Sequence, residues 1–234
     1  MNWRKWRDRV RRFGFARSLY DLTYKELQRT RDLLILEAIV ATEETIDKTF
    51  WETPTRFECR FLDRQTVLRF AEDPRYEMRP GFAREALDHG DECFGVLDGG
   101  VLASYGWYSN RPSHITELSE DLLLHFDPGY LYMYKGYTLP SHRGERLHGL
   151  GMALALREAL RRGCRGLVST VEANNFSSLR SSYRMGYRRF GRVYAGRPFG
   201  KFRARATAGC RAYGFRVEPL GRRFADPAFE EKRA

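Results

Sequence analysis

Tyr130-Leu-Tyr-Met-Tyr-Lys-Gly-Tyr-Thr-Leu139, followed by Pro140 and by Ser141-His-Arg-Gly-Glu-Arg-Leu-His-Gly-Leu-Gly151, is the stretch that decides the fold. The first run is rich in aromatic residues and stops at a proline, which marks it as a strand. The second is a loop dense in Gly and Arg. It enters Met152-Ala-Leu-Ala-Leu-Arg-Glu-Ala-Leu-Arg-Arg162, a run of strong helix formers with Gly163 as its stop. Gly166-Leu-Val-Ser-Thr-Val171 has the length of a buried strand. Asn174 and Asn175 then offer N-caps for a short helix from Phe176 to Met185, ended by Gly186-Tyr187.

Upstream, Leu33 to Ala41 reads as a strand from its Ile and Val content, and Phe57-Glu-Cys-Arg-Phe-Leu62 has the period of a half-buried strand. Gln65–Phe70 and Phe82–Leu87 read as helices separated by Asp73-Pro74 and Arg79-Pro80. Cys93–Leu97 and Val101–Tyr108 flank Asp98-Gly-Gly100, a hairpin signal. Downstream, Tyr187–Tyr194 and Lys201–Ala206 make two further strands. The fold class is α/β, with a mixed, mostly antiparallel central sheet flanked by helices.

The loop before Met152 has a physical purpose. A helix start leaves about four N–H groups without intrahelical partners and carries about half a positive charge. Glycines let a diphosphate come close to such a start, and Arg143 and Arg146 add charge-assisted bonds to phosphate oxygens.

Order and motifs together resemble the GNAT superfamily of N-acetyltransferases, which bind acyl-coenzyme A. Arg146-Leu-His-Gly149-Leu-Gly151 matches the family's Arg/Gln-x-x-Gly-x-Gly/Ala signature. Arg143-Gly144 supplies an alternative register three residues earlier, and the sequence does not choose between them. Asn175-Phe-Ser-Ser178 with Gly186-Tyr187 matches a second family feature, and the similarity runs from about Phe57 to Val217. The resemblance implies a splayed cofactor cleft holding acetyl-CoA or another acyl-CoA. Its binding residues would be Tyr137, Thr138, Arg143, Gly144, Arg146, Leu147, His148, Gly149, Gly151, Asn175 and Ser178.

The chemistry so implied is direct attack of an amine on the thioester, with acetyl the expected acyl group. It calls for a backbone oxyanion donor near Tyr137 or Thr138. A base must take a proton from an ammonium of pKa ~10. Glu172, at the end of the Gly166–Val171 run, is the first candidate; the bland alternative is a strand-end carboxylate paired with an arginine. His142 is the second, because histidine is the side-chain type used most often for proton transfer near neutral pH. The family's acid for the departing thiolate is a tyrosine seven residues after the Asn. Here Ser182 holds that place and Tyr183 follows, rotated by about 100° on a helix. A catalytically inactive binding module of similar fold is therefore an alternative reading.

The chain has 234 residues, 42% hydrophobic and 14% aromatic, ample for a core. Its formal net charge of +11 points to acidic partners. That charge sits in two segments: residues 1–17 carry a net +6, and residues 173–217 hold eleven Lys/Arg and no Asp or Glu. The second segment suits acyl carrier protein, an alternative donor implied by the resemblance, as well as the 3′-phosphate of coenzyme A or nucleic acid. In the first, Trp3, Trp6, Val10 and Phe13 share one helical stripe among arginines. That pattern fits either an anionic membrane surface or docking on the chain's own domain. Thr116-Glu-Leu-Ser-Glu-Asp121 and Asp127 supply four carboxylates that can hold a cationic small-molecule amine or form a solvated helix face.

Four scattered cysteines with no metal spacing imply reduced thiols and no metal site. No apolar run approaches the ~18 residues of a membrane span. The expected location is cytoplasmic, with attachment to the inner face of a membrane as the alternative. The expected organisation is a basic segment over 1–30, an acyltransferase domain over 31–220 and a polar tail over 221–234.

Overall fold

The computed structural model describes residues 7, 10, 11, 13–52, 54–115 and 120–222. Leu34–Ala41 forms β1, and only Ile35 of its eight residues is not buried. A strand with nothing polar but Glu37 belongs inside a sheet, and β1 is bonded on both sides. It runs antiparallel to β8 (Gly166–Glu172), with Leu36 opposite Glu172, and antiparallel to β9 (Arg188–Gly196), with Leu34 opposite Ala195. The other strands are β2 (Phe57–Phe61), β3 (Glu92–Asp98), β4 (Val101–Ser109), β7 (Tyr130–Thr138) and β10 (Arg203–Ala206). The eight-stranded order is β10-β9-β1-β8-β7-β4-β3-β2, and among the described residues only β7 and β8 pair in parallel.

One face of the sheet is covered by α4 (Leu147–Arg161), whose Met152, Ala155, Leu156 and Ala159 meet Phe94, Val96, Leu131 and Leu167. The opposite face divides. Helices α2 (Arg64–Ala71) and α3 (Pro80–His89) cover β3 and β4 through Val67, Phe70, Ala83 and Trp107. A second sheet consists of β5 (Ser113–Ile115), β6 (Glu120–His125) and β11 (Arg216–Arg222). Its order is β11-β6-β5, and it covers β1, β7 and β8. Each fully buried Leu, Ile or Val contributes roughly 1.5–3 kcal/mol, so both layers are needed.

Three readings change here. Glu120–His125 is a strand, not a helix face, because Leu122 and Leu124 alternate into the core at 0% exposure. Residues 116–119 lie outside the described residues. Asp127 does not reach toward a bound amine: it accepts from Gly129 N–H at 2.8 Å and pairs with Arg165, at the end of β7 where β7 and β8 still pair. Gly221 and Arg222 belong to β11 rather than to a tail.

Helix α1 (Phe15–Arg31) precedes β1 and buries Ser18, Asp21 and Tyr24. The Tyr24 hydroxyl accepts from Ile35 N–H at 2.9 Å, which ties the helix to the start of β1. Of the predicted Trp stripe, Trp3 and Trp6 lie outside the described residues, whereas Phe13 packs 5.8 Å from Phe176. No described helix is long and apolar enough to cross a membrane.

Candidate active site

Strands β7 and β8 pair only from Tyr130 to Met133 and from Gly166 to Ser169. Beyond that point they part. β7 stays with β4 as far as Thr138, while β8 stays with β1 as far as Glu172. A bulge starts the parting: Tyr108 opposes Met133 and Trp107 opposes Lys135, so Tyr134 is the extra residue. Tyr134 and Lys135 consequently point the same way, toward α3. The Tyr134 hydroxyl donates to Asp91 at 2.8 Å, and the Lys135 ammonium lies 4.0 Å over the Phe82 ring. Gly136 then faces α4, and a Cβ there would stand 2.5 Å from His148 Cε1 and 2.8 Å from Met133 Cε. The parted strands leave the β8-facing backbone groups of residues 134–138 outside any strand ladder.

At the mouth of this opening α4 begins. The sequence placed the helix start at Met152; the structure places it at Leu147, with Arg146 as N-cap at φ 59°. The glycines did not break the helix because their missing side chains are what let it pack. A Cβ on Gly149 would come 3.0 Å from Phe50 and 3.2 Å from Met185 Sδ, and one on Gly151 would come 3.3 Å from Val96. The turn glycine is Gly144, at φ +95°, where a Cβ would meet nothing within 4 Å. N–H groups of Leu147, His148 and Gly149 form the uncapped first turn, and Leu150 N–H is the first to return to Arg146 C=O. Arg143 and Arg146 are exposed, and Arg143 Nε donates to Thr138 C=O at 3.3 Å.

Several predicted binding residues offer only backbone. The Leu147 side chain is 2% exposed. Thr138 Oγ1 lies 3.0 Å from Ser104 Oγ, and the Tyr137 hydroxyl donates to Arg75 C=O at 3.1 Å. His148 is half-buried against Gly136, and burial lowers its imidazole pKa from the ordinary value. Asn175 caps α5 (Phe176–Arg184) by accepting from Ser178 N–H at 3.2 Å. Asn174 instead donates to buried Asp21 at 3.0 Å, joining α1 to the end of β8.

The catalytic candidates separate. Glu172, half-buried at the end of β8, lines a hollow of about 470 Å³ with Asp21, Lys25, Asn174, Asn175 and Phe176. His142 is not brought beside it. Its Nε2 lies 3.2 Å from Asp98, which also pairs with Arg56, and Asp98 is on β3 with β4 and β7 intervening before β8. Ser182 is buried on the inner face of α5, in line with Leu179 and Met185. Tyr183 is 43% exposed and turned outward, its phenol pKa raised by burial and by Glu37. The two residues cannot share a role, because one position along a helix turns a side chain by about 100°.

Sequence reasoning missed the chain His89–Asp91–Tyr134, with 2.8 Å contacts from Asp91 to each partner. Its one visible signal was a His and an Asp two residues apart at a helix end.

Several solved structures align with part of this chain. A GNAT-family protein from Novosphingobium aromaticivorans aligns with TM-score 0.47 and 16% identity over 70% of this chain and 63% of its own. A GNAT-family acetyltransferase from Colwellia psychrerythraea aligns with TM-score 0.48 and 11% identity over 75% of this chain and 61% of its own. The aminoglycoside N-acetyltransferase AAC(6')-Iy, in complex with CoA, gives 0.42 and 18% over 55% of this chain and 90% of its own. This chain thus spans less than two thirds of the first two structures' own length. No curated protein matches it. The family model of the acetyltransferase (GNAT) family matches residues 50–187. That is more than half of the sequence, and the chain belongs to this family.

Proposed function

We propose that this chain transfers an acetyl group from acetyl-CoA to an amine, in the opening between β7 and β8. The observation that carries the reading is the parting of these strands after Met133 and Ser169, with the uncapped first turn of α4 at its mouth. The first-turn N–H groups, Gly144 and the guanidiniums of Arg143 and Arg146 would hold the diphosphate. The unladdered β7 N–H groups beyond Tyr134 would receive the thioester oxygen as it gains charge.

In this scheme the amine nitrogen attacks the carbonyl carbon, the C–N bond forms and the C–S bond breaks. Glu172 takes the ammonium proton beforehand, and coenzyme A leaves as thiolate. With a parent thiol pKa of roughly 8.5, that thiolate departs without an acid. This suits Ser182, which is buried and in the place where the family pattern has a tyrosine.

The orientation of Tyr183 favours a second reading, a module that binds acyl-CoA without turning it over. Calorimetry with acetyl-CoA and with a long-chain acyl-CoA, followed by turnover assays on a panel of amines, separates the two. Binding with turnover, reduced by about 10²–10⁴ in Glu172→Gln, is expected. Binding without turnover on any amine selects the module. No binding of either thioester, with turnover only from acyl carrier protein, would move the donor to that protein.

A further inference from the structure

The segment from 173 to 217 carries eleven Lys/Arg and no acid, far more than a diphosphate needs. The fold sorts part of it onto one surface. A bulge in β9, with Gly191 opposite Ala38 and Arg189 opposite Ile39, turns Arg189 to the same side as Arg192 and Tyr194. On β10, Arg205 stands opposite Tyr194 and Arg203 opposite Gly196, so both join that side. The reverse side of the two strands is apolar and packed, through Phe190, Val193, Ala195, Ala204 and Ala206.

Beneath the arginines lies one carboxylate. Glu37 of β1 is 5% exposed and accepts from Arg192 at 2.7 and 2.9 Å and from Arg189 at 3.4 Å. It fixes two guanidiniums whose side chains stay 41% and 53% exposed. A guanidinium has five N–H donors, so both keep donors directed to solvent. Tyr194 on β9, Tyr20 of α1 and Tyr183 of α5 are 36–43% exposed, and the last two lie within electrostatic reach of Glu37 and Arg192.

We propose that this β9–β10 face, walled by α1, binds single-stranded nucleic acid. Alternate residues on a strand stand about 6.7 Å apart, close to the phosphate spacing of an extended single strand. Arg203 and Arg205 have that spacing. Tyr194, opposite Arg205 and two residues from Arg192, offers a phenol ring on which any base can stack. The floor itself presents guanidinium and phenol groups; Phe199, fully exposed, stands on the β9–β10 connection at its end. The site is separate from the proposed acyl-CoA opening, since β1 and β8 lie between β9 and β7.

The test uses the full chain and fluorescence anisotropy with labelled 12-nucleotide RNA and DNA between 50 and 200 mM salt. Affinity should fall with salt, and Arg203→Gln with Arg205→Gln should flatten the log–log slope by about 1.4, roughly 0.7 for each phosphate no longer neutralised. Tyr194→Ala should weaken binding about 5- to 150-fold, the range for removal of a stacking partner. Acetyl-CoA binding should be unchanged in both variants, which also reports that they are folded. The proposal is overturned if neither oligonucleotide binds at 50 mM salt. It also fails if Tyr194→Ala binds like the parent and heparin competes equally well, or if anionic vesicles displace the oligonucleotide.

Discussion

The loop that opens α4 and the strand β1 are built on opposite terms. Arg143, Gly144 and Arg146 are exposed, and the loop is held by a few surface bonds, among them Arg143 to Thr138 and Glu145 to Arg56. Seven of the eight residues of β1 are buried, four of them at 0% exposure, and every part of its ladder is shared with β8 or β9. The family match begins at residue 50, so it contains the loop and leaves β1 outside. The part that is recognisable is thus not the part that closes the sheet. Without β1, the β8 edge at the candidate site would be open, and an open edge is a template for pairing with other chains.

Deleting residues 1–41 breaks this comparison most directly. The truncated chain should lose cooperative thermal unfolding by circular dichroism and come out of solution. A melting transition close to that of the full chain would show that β1 is dispensable. A milder form is Ile39→Ala, a buried large-to-small change expected to cost about 2–5 kcal/mol in denaturant titration. Arg143→Ala and Arg146→Ala should do the reverse. Each is expected to weaken coenzyme A by about 1.5–3 kcal/mol in calorimetry if its guanidinium holds a phosphate oxygen. Their unfolding free energy should stay within about 0.5 kcal/mol of the parent, as for surface substitutions generally. The larger of the two affinity losses decides which register holds the diphosphate.

The smallest expected effect lies at His148, in the first turn of α4 and against Gly136 of β7. Burial favours its neutral form, so the folded state binds fewer protons there than the unfolded state. Stability should therefore decline as pH falls through the unfolded histidine value of about 6.5 and on toward the lower folded value. His148→Gln should lose that component, seen as a flatter dependence of Tm on pH between 7 and 5. An unchanged profile would place the ring in solvent.

What the sequence disclosed followed from local chemistry. The Asp98-Gly-Gly100 turn appears as a hairpin with Gly99 and Gly100 both at positive φ, and the Asn175 cap accepts from Ser178 as its position suggested. What it hid depended on distant partners. Leu147–Gly151 read as loop because glycine disfavours helix, yet Phe50 and Met185 need the space that Gly149 leaves, and Val96 that of Gly151. Strand β6 was masked by its acids, because the alternation of Leu122 and Leu124 is only two residues deep. No local signal marks Tyr134 as the bulged residue, since a bulge is a property of two strands in register. The place of β1 between β8 and β9 is likewise a matter of topology, invisible in Leu33–Ala41 itself.

That place has a cost in time. Leu36 meets Glu172 and Leu34 meets Ala195, roughly 140 and 160 residues later in the chain. At about 5–20 residues per second, a ribosome takes on the order of 7 to 30 seconds to deliver those partners. During that interval one of the most apolar segments of the protein is already made and has no strand to join. Closing such a loop is slow even once both ends exist, because its entropy must be surrendered before any contact rewards it. The strand that seals the sheet is made long before either of its partners and is among the last that can be put in place.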